Sequence, residues 1–152
     1  MNIKKIIAAF SLVSILSVFS LVATKTVSAD PDMTVYKSPT CGCCDKWITH
    51  MEENGFQINA IDVLEMSIVK DKYGINGKLE SCHTAEIDGY FIEGHVPATD
   101  VKRLLSERPD ISGLTVPGMP IGSPGMEMGD RKDAYSVLAI EKGGDIKVFN
   151  QY

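Results

Sequence analysis

Tryptophan occurs once, histidine three times and cysteine four times in 152 residues. Nothing resembles a Ser-His-Asp triad, a phosphate-binding loop or a pair of carboxylates set for acid–base work. No internal repeat stands out. Basic side chains are scarce as well. With Lys4, Lys5 and Lys25 of the N-terminal segment set aside, 12 of the 15 remain against all 20 acidic residues, a net charge of −8. A chain of that sign has little affinity for nucleic acid, whereas a cation is electrostatically acceptable.

What is present begins with an export pattern. Lys4 and Lys5 precede an apolar run over 6–23, diluted by Ser11, Ser14, Ser17 and Ser20, and Val27-Ser28-Ala29 offers a small-residue cleavage site. Residues 1–29 therefore read as a secretory signal peptide. No lipobox cysteine is present, the first cysteine being Cys41. The rival reading is an uncleaved anchor, which the four serines weaken because the run barely reaches spanning length. Once cleaved, the chain has no stable membrane anchor. Residues 30–152 then lie in a disulfide-permissive compartment.

Alternation and turn signals place strands over 33–37, 56–63, 84–87 and 90–93, the last two joined at Asp88-Gly89, the pair that favours a two-residue hairpin turn. Helical periodicity covers 45–54, ending at Gly55, then 64–73 and 97–108. In the first of these helices Cys44, Ile48 and Met51 share a face, with Trp47 beside them as a core residue. The order β-α-β-α-β-β-α over 30–108 is that of a thioredoxin-like α/β domain. Residues 109–131, with four prolines, five glycines and three methionines, exclude a long helix or a central strand. A terminal β-hairpin is expected from 134–140 and 146–149. The chain thus divides into a domain over 30–108 and a Pro/Gly/Met-rich extension over 109–152.

Cys41-Gly42-Cys43-Cys44 concentrates three of the four cysteines. Cys41 and Cys44 form a C-x-x-C pair, which suits a redox dithiol or half a metal site. Cys43 exceeds what a dithiol switch needs. Structural stapling is disfavoured, because a bridge within this cluster closes a very small loop. A thiolate at a helix N-terminus is stabilised by free N–H groups and the helix dipole, and thiolates both ligate soft metals and attack disulfides. In a thioredoxin-like fold the loop before the hairpin packs against the C-x-x-C pair and usually carries a proline. Here it reads Ser81-Cys82-His83-Thr84, so Cys82 or His83 is expected beside the cluster. Met119, Met126 and Met128 lie in the Pro/Gly loop as thioether ligands or a lid, and thioethers favour Cu(I) over zinc. His95 suits a turn, cap or metal role equally, and His50 is expected to face solvent. Zinc is disfavoured because three sulfurs within four residues do not readily face one tetrahedral ion. They suit low-coordinate Cu(I) or a cluster of several copper ions.

These motifs, with Gly94-His95-Val96-Pro97-Ala98, Val116-Pro117-Gly118-Met119-Pro120 and Gly122-Ser123-Pro124-Gly125-Met126, resemble the CopG-type family. That family comprises exported thioredoxin-like proteins with a C-x-C-C motif, associated with bacterial copper resistance. The resemblance implies a periplasmic copper-binding protein, with an oxidoreductase role in copper handling. Cys41, Cys43, Cys44 and Cys82 would be thiolate ligands, and His83 with a methionine of the extension would complete the site. A monomer acting with other periplasmic copper-resistance proteins is expected. The alternatives are a metal-free thiol–disulfide oxidoreductase and a passive copper chaperone or buffer.

Overall fold

A computed structural model describes residues 32–152. The signal peptide and anchor readings fall on residues outside that range. Among the described residues no helix is long and apolar enough to cross a membrane.

The chain runs β1 (Asp32–Lys37), α1 (Gly42–Glu53), β2 (Gln57–Asp62), α2 (Met66–Lys72), β3 (His83–Ile87), β4 (Tyr90–Glu93), α3 (Ala98–Glu107), β5 (Ile111–Thr115), β6 (Ser136–Glu141) and β7 (Ile146–Gln151). The strands form one mixed seven-stranded sheet in the order β2-β1-β3-β4-β5-β6-β7. β1 is parallel to β2, and β4 is parallel to β5. The other neighbouring pairs are antiparallel.

Strand alternation divides the apolar residues between two faces. Met33, Val35, Ala85, Ile87, Ile92, Val137 and Ala139 pack with Trp47 and Met51 of α1 and Val101 and Leu104 of α3. Phe91 and Ile140 pack on the opposite face with Ile75 and Leu79 of the segment after α2. The hairpin turn is as the sequence implies. Asp88 and Gly89 both have positive φ (49° and 84°), as a type I′ turn requires, and Ile87 pairs with Tyr90 across it.

Two differences from the sequence reading concern position. Helix α1 starts at Gly42, not near residue 45, so Cys43 and Cys44 lie inside its first turn. Residues 109–131 do contain a central strand: β5 pairs with both β4 and β6. The prolines excluded a strand only where they stand. Pro109 and Pro117 bracket Ile111–Thr115, which holds none. The boundary at residue 108 therefore falls inside one continuous sheet.

Candidate metal centre

The C-terminal end of β1 feeds the cysteine motif into a tight turn. Cys41 N–H donates to the Ser38 carbonyl (3.1 Å), and the Cys41 carbonyl accepts from the N–H groups of Cys44 (3.1 Å) and Asp45 (3.3 Å). Cys41 is thus the residue before the helix, with its side chain free of capping duty. Lys37 anchors the turn, its ammonium 3.0 Å from both Asp45 and Asp62. Hydrogen bonds to Asp62 and Asp45 raise the Lys37 pKa. Free N–H groups at a helix start favour sulfur in its thiolate form.

The ligand atoms of Cys41, Cys43, Cys44 and Cys82 all lie within 4.8 Å of one another. Cys43 Sγ is 3.6 Å from Cys41 Sγ and 3.7 Å from Cys82 Sγ, and Cys44 Sγ is 3.5 Å from Cys82 Sγ. An ion with metal–sulfur bonds of about 2.3 Å and tetrahedral angles holds its sulfurs roughly 3.8 Å apart. The Cys41–Cys43, Cys43–Cys82 and Cys44–Cys82 spacings suit a soft cation, and all four sulfurs become donors once Cys41 and Cys44 are reduced. Three sulfurs within four residues do come close together here. Cys41 stands outside the helix while Cys43 and Cys44 lie in its first turn, which brings all three sulfurs within 4.8 Å of Cys82.

In this structure Cys41 and Cys44 are joined by a disulfide, and Cys43 and Cys82 are free thiols. Cys44 is fully buried; the other three are half-buried. Burial, reinforced by the neighbouring Cys43, pushes the Cys82 thiol up to about 12. An apo site in this state keeps Cys82 protonated.

Two imidazoles adjoin Cys82. His83 Nδ1 is 3.4 Å and His95 Nε2 is 3.1 Å from its sulfur, and the three residues form a second group with metal-ligand spacing. His95 Nδ1 lies 2.8 Å from the Pro124 carbonyl. Since a carbonyl only accepts, Nδ1 carries the proton and Nε2 turns its lone pair toward Cys82. His83 is fully buried between Trp47 (ring centroids 4.4 Å apart) and His95 (5.2 Å). Its Nε2 has no hydrogen-bond partner. Burial lowers both pKa values, and for His83 the nearby His95 and Lys70 lower it further. Both rings are neutral, as metal ligands must be.

The extension closes over this group through its backbone. Gly125 has φ of +86°, and a Cβ there would come within 2.8 Å of the Cys43 carbonyl oxygen and the Trp47 nitrogen. Only glycine lets the loop lie this close to the first turn of α1. The expected methionines separate. Met126 is half-buried, whereas Met119 and Met128 are 52% and 60% exposed. Met119 lines a surface groove with Pro117, Pro120, Tyr135 and Leu138. Trp47 is core, as expected, and its Nε1–H donates to the Val96 carbonyl (2.9 Å). His50 does not simply face solvent. Its Nε2 accepts from the Ala98 N–H (3.1 Å), serving as the missing side-chain cap of α3.

His95 is the residue that sequence reasoning left undecided. The signal was the turn itself. A two-residue hairpin at 88–89 pairs Thr84 with Glu93, and continuing that register sets Cys82 opposite His95. The Gly94 N–H to His83 carbonyl bond (3.0 Å) extends the ladder in that direction.

A family described as a protein of unknown function, DUF411, matches residues 79–126, the segment carrying Cys82, His83, His95 and the Gly125 loop. No curated protein matches the chain. Two solved structures, forms 2 and 1 of a copper resistance protein copG, align over 81% of this chain and 98% of their own. They are 47% and 48% identical, with TM-scores of 0.78 and 0.77.

Proposed function

The chain belongs to the CopG copper-resistance protein family, and from that premise we propose that it is a copper-binding protein whose site changes capacity with its redox state. The carrying observation is the convergence of four cysteine sulfurs within 4.8 Å. The donor chemistry alone would accept zinc as readily. The relatives' name and the preference of clustered thiolates for Cu(I) favour copper.

Copper is cargo in this reading. Cys41, Cys43, Cys44 and Cys82 supply thiolates, with His83 and His95 as imidazole donors and the half-buried Met126 as the candidate thioether of the extension. With Cys41 and Cys44 joined, two thiols and two imidazoles remain. Two electrons and two protons open the disulfide and bring the thiol count to four. Reduction thus raises copper capacity, and this supports an oxidoreductase role in copper handling. The cleavage pattern at 27–29 supports export, and the family resemblance supports a periplasmic location. The order β1-α1-β2-α2-β3-β4-α3, with the C-x-x-C pair at the start of α1, supports a thioredoxin-like reading of residues 30–108.

Copper titration of the reduced and oxidised forms tests the proposal. Reduced protein should take up more Cu(I) than protein with Cys41 and Cys44 bonded, and equal uptake would refute the redox link. The Cys41–Cys44 disulfide also favours a second reading, a thiol–disulfide oxidoreductase that uses no metal. Disulfide-reduction turnover by copper-free protein that survives Cys43→Ser and Cys82→Ser would favour it.

A further inference from the structure

A buried ion pair lies directly beneath the Cys82 loop, on the sheet face away from Trp47. Glu93 is fully buried and Lys70 nearly so. The Lys70 ammonium contacts Glu93 Oε1, which also accepts the Ser81 N–H (2.6 Å). Glu93 Oε2 accepts the Thr84 hydroxyl (2.6 Å), and the Thr84 Oγ1 accepts from Lys70 in turn (3.4 Å). The loop is also held from the extension. The Thr115 hydroxyl donates to the Leu79 carbonyl (2.7 Å), Gly118 N–H donates to the Glu80 carbonyl (2.9 Å), and the Ser81 hydroxyl donates to the Gly118 carbonyl. Gly94, at φ of +70°, lets Ser81 approach where a Cβ would collide with its side chain.

Such a pair is a poor device for stability. Desolvating two charges offsets most of their attraction, and apolar replacements of similar size are often as stable or more so. What it supplies is a fixed acceptor for one particular N–H, that of the residue before Cys82.

We propose that the Glu93 carboxylate, neutralised by Lys70, is the positioning group for Cys82. It fixes the Ser81 peptide so that the Cys82 sulfur stands opposite Cys43, Cys44 and His95. This rests on the site reading above, and a copper-independent measurement separates the two.

The test compares two double variants in which neither member of the pair retains a charge. Lys70→Met with Glu93→Gln keeps an oxygen acceptor for Ser81, and Lys70→Met with Glu93→Leu removes it. In reduced, copper-free protein, iodoacetamide should label Cys82 about tenfold faster in the leucine variant than in the glutamine variant, the equivalent of one buried hydrogen bond. Cys43 labelling should match between the two. Equal Cys82 rates, or acceleration of all four cysteines together, would overturn the proposal. If the leucine variant does not fold, amide hydrogen exchange on the wild-type protein decides. The Ser81 N–H should be strongly protected, and exchange at the rate of an open loop would sink the idea. Cu(I) titration of the same variants addresses the copper reading separately. A labelling contrast without copper binding in any variant, wild type included, would leave the positioning role intact and remove that reading.

Discussion

Cys43 distinguishes a dithiol from a metal site at the scale of single residues. Its sulfur contacts both Cys41 and Cys82, so Cys43→Ser should lower the copper stoichiometry while leaving a Cys41–Cys44 disulfide able to form. Metal analysis together with thiol counting checks both halves. His95→Asn removes the Nε2 lone pair facing Cys82 and should weaken Cu(I) binding about tenfold or more, within the range seen when one supporting contact of a metal site is lost. A competition titration with a Cu(I) chelator reads this directly.

The same histidines predict a pH dependence. Burial lowers the pKa of His83 and His95 in the fold, whereas in the unfolded chain they titrate near 6.5. Above pH 6.5 both states are neutral and the contribution is constant. Below it the unfolded chain takes up protons that the fold refuses, so stability is lost as pH falls toward the lowered folded values. The slope is at most about 1.4 kcal/mol per pH unit for each histidine. The melting temperature of copper-free protein should drop between pH 7 and pH 5, and His83→Asn should flatten that drop.

Two contacts of α1 matter at the scale of elements, one to the extension and one to α3. Gly125 seats the extension on the first turn of α1. Gly125→Val would bring a branched Cβ against the Cys43 carbonyl, and its left-handed backbone alone costs about 1–2 kcal/mol. The expected outcome is a folded protein with lower stability and weakened copper binding, read by thermal denaturation and Cu(I) titration. A variant that binds copper normally would detach the extension from the site. His50 joins α1 to the N-terminus of α3, which has no capping side chain of its own. His50→Leu should cost about 1 kcal/mol, as loss of a helix cap does, with copper stoichiometry unchanged.

Local chemistry made much of the element order readable. The Asp88-Gly89 turn, the apolar face of α1 and the terminal hairpin of β6 and β7 were all plain from residue types. The turn also carried more than was taken from it, because its register implies the Cys82–His95 juxtaposition. β5 was hidden because its flanking prolines and glycines dominate the composition of 109–131, while the five residues between them are short and free of proline. His50 escaped notice because a histidine off the apolar face reads as solvated. Its partner, the Ala98 N–H, is brought in by tertiary packing. The Lys70–Glu93 pair had no sequence signal at all, since the two residues are distant in the chain and each alone looks like surface charge.

At the scale of the whole molecule the sheet binds the metal centre and the extension into one unit. β5 stands between β4 and β6, and Leu114, Val116, Val137 and Ala139 belong to the same core as Trp47. A chain ending at residue 108 would expose the β4 edge and strip that core, and it should fail to give a cooperative thermal transition by circular dichroism. The Pro124 carbonyl that orients His95 would be lost with it. The central claim is that four converging cysteine sulfurs, the C-x-x-C pair together with Cys43 and Cys82, make this a copper site. Metal analysis of anaerobically purified, reduced protein alongside Cys43→Ser tests it most directly. The wild-type protein should carry copper and the variant markedly less. Copper-free wild-type protein, or full stoichiometry in Cys43→Ser, would contradict it.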